Sequence, residues 1–398
     1  MKALLLENVH PDAVASMQAA GITVSTRSGS LEERELSEAL AGVQLLGIRS
    51  GTRVNASVLA GAPELIAVGA FCIGTNQIDL VAAAEHGVAV FNAPFSNTRS
   101  VVELALAEMI CLTRGVTAKS HALHSGVWDK SAKGSHEMRG RTLGIIGYGN
   151  IGSQLSVLAE ALGMRVVFFD TADRLARGNA RSMGSAAELL EIADAVTLHV
   201  DGRVGNAGLF GSAQFVSMRP GSVFLNLSRG FVVEQGTLAE HIRSGHIAGA
   251  AIDVFPNEPK AQGDTFESEL TGLPNVILTP HVGGATEEAQ QHIGQFVAEK
   301  LCDYVGMGNA TLSVNLPQTR LDARTDTHRL AHLHVNTPGV LAKVNSVLAA
   351  HDVNVEGQAL ETRDHLGYLL TDVGTDYAPD VVQALERMPE TVRLRVLS

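Results

Sequence analysis

The hexapeptide Gly147-Tyr148-Gly149-Asn150-Ile151-Gly152 follows a short apolar run at residues 143–146. It opens a stretch in which Ile151, Leu155, Leu158 and Leu162 recur at helical spacing. A glycine turn between a buried strand and a helix admits few folds. The first glycine makes the turn, the second lets backbone approach a pyrophosphate, and the third lets helix and strand pack closely. The unpaired N–H groups and the dipole of the helix N-terminus attract the phosphates, with Asn150 and Ile151 in its first turn. Asp170 closes the next apolar run, about twenty residues on, where a carboxylate accepts from ribose hydroxyls. That carboxylate repels a 2′-phosphate, so NAD is the expected cofactor.

Six apolar runs, 143–146, 166–169, 195–198, 222–227, 250–254 and 276–279, alternate with helical stretches and predict a Rossmann-type doubly wound sheet. An earlier set at 2–6, 22–26, 45–48, 65–68 and 88–91, with helices near 12–20 and 31–41, predicts a second parallel sheet covered on both faces. Helices are expected over 98–114 and from beyond Gly284 to about Gly306, with an extended piece at 312–316. Residues 318–327 carry charge without apolar periodicity and read as a linker. The remainder follows a βαββαβ pattern: strands at 330–335, 353–360, 367–373 and 392–396, helices at 339–351 and 379–387.

Composition narrows the function. A net charge of −12 disfavours nucleic acid as the partner. No apolar run approaches the length that crosses a membrane, and the N-terminal Met1-Lys2-Ala3-Leu4-Leu5-Leu6 reads as a buried strand rather than a signal peptide. Cys72, Cys111 and Cys302 are scattered without disulfide or metal spacing, which fits a reducing cytoplasm and no bound metal.

In such sheets ligands sit beyond the carboxyl ends of the strands. The run ending at Leu227-Ser228 leads into Arg229, the next into Asp253 and Glu258, and the last into His281 with Gly283-Gly284. One arginine, one carboxylate and one histidine are what interconverting a 2-hydroxy acid and its keto acid requires. Arg229 can pair with the carboxylate and polarise the carbonyl, His281 can exchange the hydroxyl proton, and Glu258 can hold the imidazole and raise its pKa. Leu227, Ser228, Asp253, Gly283 and Gly284 are assigned to the cofactor. The residues alone leave open which hydroxy acid is used, 2-hydroxyglutarate among them, and an NAD-sensing binding protein on the same fold.

The glycine turn with Arg229, Glu258 and His281 resembles the D-isomer-specific 2-hydroxyacid dehydrogenase family over residues 1–316. Residues 71–77 and 92–101 resemble its bacterial 3-phosphoglycerate-oxidising branch, and the last module resembles an ACT domain. The resemblance implies NAD-dependent oxidation of 3-phospho-D-glycerate, the first step of serine biosynthesis, with serine as inhibitor. It implies a flavodoxin-like substrate domain in two pieces, 1–97 and 285–317, around an NAD-binding domain at 98–284, then the linker and an ACT domain at 328–398. It assigns Arg49, Ser50, Cys72, Ile73, Gly74 and Asn97 to the substrate, along with Lys130 reaching from a neighbouring subunit. His334, Asn336 and Asn354 are assigned to serine, bound between paired ACT domains of a homotetramer. Three positions depart from the family. Gly51 stands where relatives often carry a second basic residue, which leaves Lys130 and Arg27 to assist. The loop after His199 lacks the usual Pro and Thr, and Asp326-Thr327 replaces a Gly-Gly hinge.

Overall fold

The computed structural model describes residues 1–259, 263–322 and 326–397. Residues 260–262 of the expected cofactor domain, 323–325 of the expected linker and Ser398 lie outside the described residues. The chain divides into two compact units: Met1–Pro94 together with the chain from Gln290 onward, and Phe95–Ala289.

The first unit begins β1 (Lys2–Leu5), α1 (Pro11–Ala19), β2 (Thr23–Thr26), α2 (Glu33–Ala39), β3 (Leu45–Ile48), α3 (Ala56–Ala60), β4 (Ala67–Ala70), α4 (Leu80–Glu85) and β5 (Ala89–Asn92). Its strands are parallel in the flavodoxin order β2-β1-β3-β4-β5. Every residue of β3, β4 and β5 is buried, which is why these strands read as unbroken apolar runs rather than alternating ones.

The second unit opens with α5 (Thr98–Arg114) and α6 (Val116–His124), joined by Gly115 in the left-handed conformation (φ 61°) that ends α5. Then come β6 (Thr142–Ile146), α7 (Asn150–Ala161), β7 (Arg165–Phe169), β8 (Arg181–Ser182), α8 (Ala186–Ile192), β9 (Ala195–Leu198), α9 (Ser212–Ser217), β10 (Ser222–Asn226), α10 (Gln235–Arg243), β11 (Ile247–Ile252) and β12 (Val276–Leu278). The strand order β12-β11-β10-β9-β6-β7-β8 is the Rossmann order, with the two-residue β8 added beyond the six strands expected. Reversal of the order at β6 puts the glycine turn at the switch point.

The helix α11 (Glu287–Met307) starts in the second unit and continues in the first, where Ile293, Val297 and Leu301 pack with Leu5, Leu45 and Phe91. Residues 312–316 were expected as an extended piece; they form a turn instead. Leu312 is left-handed (φ 66°), which breaks a strand. The Asn315 side chain then serves the edge of β5, accepting from the Val90 N–H at 2.8 Å and donating to the Val88 carbonyl at 2.9 Å.

The final module is β13 (Thr327–Val335), α12 (Val340–Ala350), β14 (Val355–Arg363), β15 (Leu366–Gly374), α13 (Asp380–Glu386) and β16 (Thr391–Leu397), antiparallel in the ferredoxin-like order β14-β15-β13-β16. One sheet face, with Leu330, Leu369 and Val373, packs on α12 and α13. The other, with Ala331, Leu333 and Leu370, joins the core around Tyr304 and Leu316. Arg329 locks this junction. Its guanidinium is bidentate to buried Asp372 (2.6 and 2.9 Å) and donates to the carbonyls of Met307, Leu321 and Asp322.

Candidate active site

The glycine turn is as tight as its sequence requires. Gly147 has φ 94°, and a Cβ there would lie 2.5 Å from the His199 carbonyl oxygen. At Gly152 a Cβ would meet the Gly147 carbonyl at 2.3 Å, whereas at Gly149 it would meet nothing within 4 Å. The first and third glycines therefore close the turn, and the second presents open backbone. Asp170 accepts from the Tyr148 and Ala172 N–H groups at 2.8 and 2.9 Å, with Arg174 at 3.4 Å. His199 Nδ1 is buried without a partner, and burial lowers its pKa to about 4, so the ring is neutral. An open glycine cradle, an anchored carboxylate at the end of β7 and an orphaned polar atom beside the turn fit a dinucleotide.

Arg229, Glu258 and His281 come together at the carboxyl ends of β10, β11 and β12. Asn226 sets the first: its Oδ1 accepts from Ser228 N–H and Oγ, and its Nδ2 donates to the Arg229 carbonyl at 3.0 Å. Gly230 then lets this loop touch the next, since a Cβ there would lie 2.0 Å from the Phe255 carbonyl carbon. Glu258 Oε1 accepts from the Phe255 N–H at 3.1 Å, while Oε2 receives His281 Nδ1 at 2.8 Å. The pair is half open, with side chains 36% and 49% exposed. The hydrogen bond that His281 donates to Glu258 raises the His281 pKa against the opposing effect of burial, and Arg229 opposes it by charge. For Glu258, burial alone would raise the pKa, but His281, the Phe255 N–H and Arg229 together lower it. The imidazole is thereby held by Nδ1, which leaves Nε2 for a substrate.

His281 itself has φ 54°, a conformation L-residues rarely adopt. Asp253 holds it there. This buried carboxylate accepts from Thr279 Oγ1 at 2.6 Å and from the Val282 and Gly283 N–H groups at 2.8 and 2.9 Å. Asp253, expected at the cofactor, thus spends its hydrogen bonds on the loop that carries His281. Gly284 lies against Asn97, where a Cβ would be 2.3 Å from Nδ2. Sequence reasoning missed Asn226, whose partners Ser228 and Arg229 follow it in the same loop, and Gly230 and Thr279, which meet Phe255 and Asp253 of the neighbouring strand end. It also missed Glu108, an acid on the buried stripe Val101, Ala105, Met109 and Leu112 of α5; a charge on such a stripe is the signal that could have found it.

In the first unit, Gln77 Nε2 donates to the carbonyls of Arg49 (2.7 Å) and Gly74 (3.3 Å), tying the loop after β3 to Cys72-Ile73-Gly74 after β4. At Gly51 the turn is capped by Glu7, which accepts from the Gly51 and Thr52 N–H groups at 2.8 and 2.9 Å. Ser50, Arg27 and Lys130 are exposed. In the C-terminal module His334 is buried with Nε2 unpartnered, Asn336 is exposed, and exposed Asn354 donates to Glu356 at 2.9 Å.

Comparison with known proteins decides the family. Residues 106–283 match the D-isomer specific 2-hydroxyacid dehydrogenase, NAD binding domain, and residues 330–393 match the AHAS small subunit-like ACT domain. D-3-phosphoglycerate dehydrogenases of Dictyostelium discoideum and Haemophilus influenzae are 45% and 46% identical to the chain, over 100% of it and 97% of each relative. The chain belongs to the D-3-phosphoglycerate dehydrogenase family. It is an NAD-dependent dehydrogenase carrying an ACT domain. A Saccharomyces cerevisiae D-3-phosphoglycerate dehydrogenase is 44% identical over 98% of the chain and 86% of its own length. Among solved structures, a Thermus thermophilus protein superposes with a TM-score of 0.69 at 29% identity, covering 76% of this chain and 96% of its own. An Aquifex aeolicus D-lactate dehydrogenase shares the fold at a TM-score of 0.66 and 22% identity, over 76% and 95% of the two chains. No helix of the described residues is long and apolar enough to cross a membrane.

Proposed function

We propose that this chain oxidises 3-phospho-D-glycerate to 3-phosphohydroxypyruvate with NAD⁺, the first step of serine biosynthesis, and that serine inhibits it through the ACT domain. The observation that carries the catalytic half is the His281–Glu258 pair at 2.8 Å beside Arg229, in a chain whose full-length relatives have this activity. NAD bound on the glycine turn supplies the hydride acceptor. Gly147, Gly149, Asn150, Ile151 and Gly152 hold its pyrophosphate, Asp170 its ribose, and Leu227, Ser228, Gly283 and Gly284 line the same strand ends. Arg229 pairs with the substrate carboxylate. As the C2–H bond breaks, His281 takes the hydroxyl proton at Nε2, so one hydride and one proton leave and C2–O becomes a carbonyl. Glu258 stabilises the imidazolium that results.

Arg49, Ser50, Asn97 and the loop Cys72-Ile73-Gly74 bind the rest of the substrate, with Lys130 of a neighbouring subunit at the phosphate. Serine binds at His334, Asn336 and Asn354 between two ACT domains. The arm after α6 leaves Trp128 79% and Val127 56% exposed, as a surface covered by a second copy would be, and this contact with a second one between ACT domains makes a tetramer. The deciding assay is NADH formation from 3-phospho-D-glycerate, wild type against His281→Ala. Turnover by the wild type alone is expected; none from either protein would refute the reading.

A further inference from the structure

Behind the His281 loop, two carboxyl groups share one hydroxyl. Thr279 Oγ1 lies 2.6 Å from Asp253 Oδ1 and 3.4 Å from Glu108 Oε1. Glu108 is 4% exposed, and its Oε2 is buried without a hydrogen-bond partner. A hydroxyl has one proton, and the 2.6 Å contact takes it for Asp253. Asp253 further accepts two backbone N–H groups, so both its oxygens are engaged as acceptors. Glu108 has neither a strong donor nor a cation: among the charged groups on the elements packed around α5, Asp253 is the one that acts on it, and it repels. Arg229, Glu258 and His281, at the same strand ends, balance one another instead. Two anions side by side in a buried site are costly, so one must be neutral.

We infer that Glu108 is a positioning residue that carries a proton at neutral pH and, as a neutral acid, keeps the Asp253–Thr279 anchor of the His281 loop intact. Burial first, and then Asp253, push its pKa up to about 8, which agrees with the geometry. Ionisation above that value sets a second negative charge against Asp253 and loosens the loop on which the catalytic imidazole rides. The catalytic consequence rests on the function proposed above; the protonation of Glu108 does not.

The test therefore has two arms on the full-length protein. In urea unfolding, the raised folded pKa means the native state keeps a proton that the unfolded chain loses. Wild-type stability should thus fall relative to Glu108→Gln as pH rises from about 5 to about 8. A difference that stays flat over this range refutes the protonated acid. Infrared spectroscopy of the wild type makes the same measurement should the variant fold poorly: the C=O band of a neutral buried carboxyl must be present at pH 7 and disappear at alkaline pH, and its absence at pH 7 is refuting.

In the second arm, Glu108→Ala should lower kcat by about tenfold, as removal of an outer-shell support does. Glu108→Gln, which keeps a neutral polar group, should restore most of it. The wild type should lose kcat above pH about 8, and Glu108→Gln should not. Identical alkaline limbs in the two proteins would overturn the positioning role. If no protein turns over 3-phospho-D-glycerate, the proposed substrate fails while the unfolding arm still decides Glu108.

Discussion

His281 sits at φ 54°, in a region that costs an ordinary residue on the order of 1 kcal/mol. Three hydrogen bonds to Asp253 hold its loop in that shape, and the shape aims Nδ1 at Glu258. Replacing His281 by Ala should lower kcat about a hundredfold or more while NADH still binds by fluorescence titration, since general acid–base catalysis is worth that much. Glu258 raises the His281 pKa, and oxidation needs the imidazole neutral, so the rate should climb as pH rises through that pKa. In Glu258→Gln the raising contact is gone, so the climb should move to lower pH and the plateau should drop. A climb at unchanged pH would mean that another group is titrating. Arg229, Glu258 and His281 were legible because each lies in the loop that follows an apolar strand. The tasks of Asp253 and Glu108 were not, because Thr279, Val282 and Gly283 are distant in sequence and meet them only when β11, β12 and α5 pack.

Elements with a long buried stripe were the easiest to read from sequence. The helix α5 was found at its full extent because its apolar spacing runs into a glycine stop. The helix α6 buries no side chain, and α3 and α4 span five and six residues, so none shows amphipathic periodicity. The piece at 312–316 turns at Leu312 and meets β5 through the Val314 N–H and the Asn315 side chain, an arrangement that no strand pattern reveals. Two substitutions test the joints between elements. Gly230→Ala should cost about 1–3 kcal/mol in denaturant unfolding, because the new methyl group overlaps the Phe255 carbonyl and the loops must part. Asp372→Ala leaves the Arg329 guanidinium buried and uncompensated, which should cost about 3–5 kcal/mol. An unchanged midpoint in either variant would mean that the contact carries no load.

Among the described residues three sheets have flavodoxin, Rossmann and ferredoxin-like orders, and the proposed function gives the first two to chemistry and the third to control. If serine acts at the ACT domain, Asn336→Ala should relieve inhibition and leave kcat without serine nearly unchanged, because coupling between sites is limited to the effector's differential affinity. Inhibition that persists in this variant would move the serine site elsewhere. Light scattering at micromolar concentration should return a tetramer. The claim on which the rest depends is the substrate. Gly51 offers a phosphate no side-chain charge, and its turn is capped by the carboxylate of Glu7. The direct measurement is kcat/KM for 3-phospho-D-glycerate beside D-glycerate and D-2-hydroxyglutarate, each with NAD⁺. Charge-assisted hydrogen bonds to a phosphate are worth about 1.5–3 kcal/mol each, so loss of the phosphate should lower kcat/KM by at least tenfold. Equal or better turnover of D-glycerate or D-2-hydroxyglutarate would contradict the assignment.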